Sequence, residues 1–235
     1  MNKLSVIIPI LNEAKTIVDL LHYLLENSNT DTISEIIVID GGSTDDSYSL
    51  VSDFEKQHQN VMLISSDKGR AIQMNKGSQK ATGTIFYFLH ADSIPPKNFD
   101  ELIINEVEKG NLAGCFKMKF DHQHWWLKLA SWLTHFRWRA CRGGDQSQFI
   151  TKDLFLEIGG FNEDFTIYED NILISELYKR KQFTVIQEWL ITSARLYKKK
   201  GIWTLQYHFW TIYVKKWLGA NPDELCAYYK KHIAS

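Results

Sequence analysis

The chain has 235 residues, of which 44% are hydrophobic and 13% aromatic, with 13 Gly and 4 Pro. This supplies enough apolar material for a substantial core and excludes disorder, collagen-like repeats and fibrous structure. Lys and Arg number 27 against 28 Asp and Glu, a net charge of −1, so no nucleic-acid partner is expected.

The first half alternates two patterns. Leu4 to Pro9, Ile33 to Asp40, Val61 to Ser65 and Thr84 to Leu89 are short, nearly continuous apolar runs, as parallel strands buried on both faces require. Ala14 to Glu26, Asp46 to Gln57 and Ala71 to Lys80 carry apolar residues at helical spacing, for example Ile17, Leu20, Leu21 and Leu24. A repeated βαβ rhythm builds a doubly wound α/β sheet whose ligands sit beyond the carboxyl ends of the strands. Beyond Asp92 the pattern predicts a helix over Lys97 to Glu108, a strand over Ala113 to Phe120 and an aromatic-rich helix over Trp125 to Cys141. A loop through Gly143-Gly144-Asp145-Gln146 and a strand over Ser147 to Thr151 follow, then a short helix ending at Gly159-Gly160. Next come a helix from about Asp170 to Lys181 and a strand over Val185 to Ser193. From Arg195 onward the chain reads as helical, broken at Gly219 to Pro222 where Asn221-Pro222-Asp223 resembles a helix start.

The expected strand ends are polar. Asp40-Gly41-Gly42-Ser43-Thr44-Asp45 combines a carboxylate, glycines that admit close backbone approach and a helix start that favours an anion; it equally describes a plain turn in which Ser43 or Thr44 caps the next helix. His90-Ala91-Asp92 leaves a strongly apolar strand and offers a hard oxygen ligand suited to Mg²⁺ or Mn²⁺ shared with a diphosphate, or an ordinary turn acceptor. Arg70, at a helix start, can fork to phosphate oxygens or serve as a surface arginine. Glu169-Asp170 opens another helix, where one carboxylate can act as a general base or both can complement the helix dipole. Neither GxGxxG nor GxxxxGK[ST] is present, which argues against a dinucleotide fold and a P-loop.

Taken in order, Ser5 to Glu13, Ile39 to Asp45, Gly69-Arg70 with Asn75-Lys76-Gly77, Leu89 to Asp92, and Gly159-Gly160-Phe161 with Glu169-Asp170 resemble the family 2 glycosyltransferases over roughly the first 180 residues. The resemblance implies a GT-A type nucleotide-sugar-binding sandwich with a mostly parallel central sheet, followed by a C-terminal helical segment. It implies inverting transfer from a nucleotide diphosphate sugar, UDP by preference, assisted by Mn²⁺ or Mg²⁺. Pro9, Glu13, Asp40 and Arg70 would bind the nucleotide, Asp92 the metal, and Asp170 would be the catalytic base. The usual Asp-x-Asp stands here as His90-Ala91-Asp92, without the first carboxylate. With Gly144-Asp145-Gln146 and Thr192-Ser193-Ala194-Arg195, that motif resembles a small bacterial subgroup. A nucleotidyltransferase, or a nucleotide-sugar binder without catalysis, is the alternative.

Cys115, Cys141 and Cys226 are widely spaced and odd in number, which points to a reducing, cytoplasmic location rather than a disulfide framework. The Met1 to Pro9 run has no cleavable leader pattern, and the aromatic stretches around Trp125 to Trp138 and Ile202 to Leu218 are broken short of the roughly 18–20 residues a spanning helix requires. Residues 1–194 are expected to form the catalytic domain and 195–235 a basic, aromatic extension with eight basic residues against two acidic ones, a net +6. That extension suits a helix packed on the sheet with its lysines in water, a homo-oligomer contact, or peripheral contact with anionic lipid at the inner membrane face, where a lipid-linked acceptor would lie.

Overall fold

β-Branched and aromatic runs become the strands that the hydrophobic pattern predicts. A computed structural model describes residues 2–143 and 146–234; Gly144 and Asp145 of the Gly144-Asp145-Gln146 motif lie outside the described residues. The first half runs β1 (Leu4–Ile10), α1 (Ile17–Glu26), β2 (Ile33–Asp40), α2 (Ser47–Glu55), β3 (Val61–Ser65), α3 (Arg70–Lys80) and β4 (Ile85–Phe88). The second half runs β5 (Ser93–Ile94), α4 (Phe99–Glu108), β6 (Ala113–Phe120), α5 (Trp125–Leu133), β7 (Gln148–Thr151), α6 (Lys152–Ile158), α7 (Glu169–Lys179) and β8 (Thr184–Thr192). Three helices close the chain: α8 (Arg195–Lys200), α9 (Ile202–Trp217) and α10 (Pro222–His232).

The strands form one sheet in the order β3-β2-β1-β4-β7-β6-β8-β5. Pairing is parallel from β3 through β4 and between β6 and β8, and antiparallel around β7 and at β5. Alternate residues of β1 serve the two faces. Leu4, Val6, Ile8 and Ile10 pack with α1, α2 and α4, while Ile7 packs with α3, α6 and α7. Burial on both faces is why these strands read as continuous apolar runs. A third core, built on Leu127, Phe165, Tyr197, Leu205, Ile212 and Leu225, joins α5 to the three C-terminal helices.

Four local expectations are corrected. The aromatic helix stops at Leu133, because the Thr134 hydroxyl donates to Ser131 O at 2.7 Å and accepts from Met118 N at 2.9 Å, which ties the chain to β6; one 3-10 turn, Arg139–Cys141, follows. Neither Ser43 nor Thr44 caps α2. That helix starts at Ser47, whose amide donates to Asp45 Oδ1 at 3.0 Å, while Ser43 Oγ accepts from Asn12 N at 2.9 Å. The C-terminal segment breaks a second time at Gly201, whose φ of 83° suits a residue without a Cβ. Finally, β5 is too short to register as a hydrophobic pattern.

Candidate active site

Pairing decides where the sheet opens. Between β1 and β4 it ends at Ile7↔Phe88, while β1 and β2 stay paired to Ile10↔Asp40. Pro9, with no N–H to donate, therefore occupies the part of β1 that has one partner strand, at the edge of a cleft. The buried Gln73 of α3 holds both strand ends: its Nε2 donates to Ile10 O at 2.9 Å and Ile39 O at 2.7 Å. Beyond β1, Asn12 adopts φ 58°, a conformation asparagine tolerates, and its Oδ1 accepts from Thr44 N at 2.8 Å. The next amide, Glu13 N, donates to Ser47 Oγ at 2.7 Å. The loops after β1 and β2 thus form one rim. In that rim the buried Asp40 carboxylate accepts from Gly42 N at 3.0 Å and Ser43 N at 3.1 Å.

Asp92 follows β4, and its carbonyl accepts from Ser193 N at 3.1 Å. Together with the Ser93–Thr192 hydroxyl pair at 3.1 Å, this bond fixes the end of β8 beside Asp92 and delivers Arg195 to the cleft. Arg195 Nη1 donates to Glu13 Oε2 at 2.6 Å, its Nη2 donates to Glu13 Oε1, and its Nε lies 3.4 Å from Asp92 Oδ2. Burial pushes the Asp92 carboxyl above the usual carboxylate range. Arg195 opposes that rise, Glu13 adds to it, and Arg70 acts against it more weakly.

A second cluster faces the first. Arg70, the first residue of α3, places Nη1 3.4 Å from both Glu169 Oε1 and Asp170 Oδ2; the guanidinium is half exposed and both carboxylates are buried. Two buried acids in one helical turn require such a counter-charge. Asn75 of α3 holds the preceding segment by giving Nδ2 to Phe161 O and taking Phe161 N, each at 2.9 Å. Tyr168, just before Glu169, has φ 75°, which for an aromatic residue stores strain that the surrounding packing must hold. Arg139 clamps the first turn of α7 by donating from Nη2 to Asn171 O at 3.1 Å and Ser175 Oγ at 3.0 Å.

The structure therefore brings Glu13, Asp92, Arg70 and Asp170 together through two arginines, with Pro9 and Asp40 on the adjoining rim. Arg195 and Arg139 were not among the candidate residues. Arg195 closes the Thr192-Ser193-Ala194-Arg195 motif and reads as the first residue of the basic extension, and Arg139 falls in an aromatic stretch that reads as helix. Among the described residues no three His, Cys, Asp or Glu side chains converge as a metal cage. A hard divalent ion would find one carboxylate here, that of Asp92, and would need phosphate oxygens and water to complete its shell.

The chain belongs to glycosyl transferase family 2, whose profile matches residues 5–162. The undecaprenyl-phosphate 4-deoxy-4-formamido-L-arabinose transferase of Proteus mirabilis is 26% identical over 199 residues, covering 83% of this chain and 57% of its own length. Matches to eight curated relatives span between 18% and 66% of the length of those proteins. Among solved structures, S. aureus TarS in complex with UDP superposes with a TM-score of 0.67 at 18% identity, covering 81% of this chain and 60% of that one. GalNAc-T7 with UDP, GalNAc and Mn²⁺ also gives 0.67, at 14% identity, covering 82% of this chain and 44% of that one. These likenesses establish the GT-A architecture, a mixed α/β sandwich around a mostly parallel sheet.

Proposed function

We propose that the chain transfers a sugar from a nucleotide diphosphate donor, preferentially a UDP-sugar, to an acceptor hydroxyl with inversion at the anomeric carbon. The observation that carries this reading is the position of Arg70: it contacts the buried Asp170, and its charge reaches Asp92, so an acid–base carboxylate and a phosphate-side carboxylate share one electrostatic cluster. Asp170 takes the proton of the acceptor hydroxyl as that oxygen bonds to the anomeric carbon, while the bond to the diphosphate oxygen breaks and the electron pair leaves with the nucleotide. Arg70 faces the departing charge, as a guanidinium can by forking to phosphate oxygens. Pro9, Glu13 and Asp40 line the nucleotide side; the Asp40 oxygens keep acceptor capacity for a ribose hydroxyl beyond the two loop amides they already bind. Asp92 would hold Mn²⁺ or Mg²⁺ on the diphosphate, and the ion's contribution when bound is to offset charge on the leaving group.

Two structural neighbours were solved with UDP, one of them also with Mn²⁺, which supports the choice of donor and ion. Two relatives, the dolichyl N-acetyl-α-D-glucosaminyl phosphate 3-β-D-2,3-diacetamido-2,3-dideoxy-β-D-glucuronosyltransferase of Methanococcus voltae and the undecaprenyl-phosphate transferase, support a lipid-linked acceptor.

Turnover of a nucleotide-sugar panel with and without Mn²⁺ tests the reading. Release of nucleoside diphosphate by the wild-type chain, abolished in Asp170→Asn with nucleotide binding preserved, supports it. Turnover of nucleoside triphosphates instead would make the chain a nucleotidyltransferase, and binding without turnover a nucleotide-sugar binder. Identical nucleotide affinity with and without Mn²⁺, by calorimetry, would remove the metal from the scheme.

A further inference from the structure

Helix α9 buries Leu205 and Ile212 against α5, α8 and α10, yet it leaves a long apolar stripe uncovered. At 3.6 residues per turn, Trp203, Tyr207, Trp210, Val214 and Trp217 fall within an arc of about 80° and run for about 21 Å along the helix. Their exposure lies between 48% and 84%. The stripe continues onto α5. Trp126 lies between Trp203 and Trp210, with ring centroids 5.4 Å and 5.7 Å away, and its Nε1 donates to Gln206 Oε1 at 3.0 Å. Beside it Trp125 packs on Trp203 at 5.7 Å and is itself 59% exposed. Two helices thus present one aromatic face, far more than isolated surface residues would give.

The charge around this face selects its occupant. Lys198, Lys199 and Lys200 end α8 immediately before α9, Lys128 is exposed on α5 beside Trp125, and residues 195–235 carry a net +6. Lysine is depleted from the cores of protein–protein contacts, whereas tryptophan and tyrosine flanked by lysine suit the boundary between headgroups and acyl chains. Among the described residues no helix is long and apolar enough to cross a membrane, so the face would lie on a bilayer rather than in it.

We propose that the joined faces of α5 and α9 dock the protein on an anionic phospholipid surface. The contact also orients the cleft: Tyr213 on α9 packs at 5.4 Å against Tyr168, which leads directly into Glu169-Asp170. On the reading of Asp170 as base, a membrane-anchored acceptor would reach the site from the docked side.

Flotation with vesicles of equal parts phosphatidylcholine and phosphatidylglycerol tests the proposal. The wild-type chain should float with these vesicles and not with phosphatidylcholine alone, and added salt should release it. Trp210→Glu with Trp217→Glu, and separately Lys199→Glu with Lys200→Glu, should each lower vesicle partitioning at least tenfold. Both double variants alter side chains away from the nucleotide rim and should keep the wild-type UDP affinity, and the lysine variant should also keep the wild-type melting temperature. Absence of flotation with anionic vesicles, or unchanged flotation of the tryptophan variant, overturns the proposal. So does a dimer in sedimentation that the tryptophan variant splits, because a second copy would then cover the face. Flotation without UDP binding leaves docking intact and removes the donor reading; UDP turnover without flotation does the reverse.

Discussion

Arg195 and Glu13 stand 182 positions apart in sequence and meet through a two-pronged contact, with Nη1 donating to Oε2 at 2.6 Å and Nη2 to Oε1. The same guanidinium lies 3.4 Å from Asp92, so one cation serves both the glutamate proposed to line the nucleotide side and the carboxylate proposed to hold metal. This matters because Asp92 departs from the usual pattern of two aspartates. The position before Ala91 holds His90, whose amide lies 3.5 Å from Ser147 Oγ, and the charged partner of Asp92 is Arg195, the first residue of α8.

Replacing Arg195 by methionine tests that role. Glu13 and Asp92 would then face each other without the shared cation, and a bound divalent ion would have to supply more of the compensation. A half-exposed ion pair is worth on the order of 1 kcal/mol, about fivefold in affinity. UDP affinity without metal should fall by about that factor, and the loss should shrink at saturating Mn²⁺. Calorimetry in both conditions measures it, and an equal loss in both would show that Arg195 does not share charge with the ion.

Gln73→Leu removes the donor that joins the ends of β1 and β2. Ile10 O keeps its bond from Gly41 N at 3.0 Å and Ile39 O keeps its ladder partner across the Ile10↔Asp40 pair, so what is lost is the additional bond that each carbonyl accepts from the side-chain amide. A buried hydrogen bond contributes about 0.5–1.5 kcal/mol net, and Gln73 makes two. Urea unfolding should show a lower midpoint with an unchanged slope, and UDP affinity should drop because the rim carrying Asp40 and Glu13 loses its anchor. A wild-type midpoint would mean that another donor replaces the amide.

Gly77→Ala sets helix propensity against packing. Alanine gains about 1 kcal/mol over glycine inside a helix. Here the added Cβ would lie 2.6 Å from Ile7 Cγ2 and 2.7 Å from Ile39 Cδ1, both on fully buried strand residues. Overpacking of this kind costs about 1–3 kcal/mol, so the net effect should be destabilisation by roughly 1 kcal/mol. Thermal or urea unfolding reads the sign directly, and a stabilised variant would show that α3 can shift off the sheet without cost.

Thiol chemistry should be graded. Cys115 is fully buried, and burial pushes its thiol above the ordinary value, opposed by the Arg142 guanidinium at 3.3 Å. A raised pKa leaves less thiolate at any given pH, so moving from neutral to mildly alkaline conditions should not expose Cys115 to a disulfide reagent. Cys141, half-buried, should react in the folded protein, and Cys115 only after denaturation. Labelling of Cys115 at the rate of Cys141 would indicate local opening of β6.

The sequence alone determined the strand and helix order of the first half, because strands buried on both faces must be apolar throughout and the helices between them must show one apolar stripe. It also placed Asp40, Asp92, Arg70 and Asp170 at element ends, where polar residues and glycines interrupt those runs. Tertiary structure decided what short-range pattern cannot carry. The end of Trp125–Leu133 depends on the Thr134 hydroxyl reaching Met118 on another strand, and the pairing of Arg195 with Glu13 depends on β8 lying beside Asp92. The same holds for the uncovered stripe on α9. Its residues are apolar at helical spacing on both sides, and only packing against α5 and α10 fixes which side is buried and which meets the surroundings.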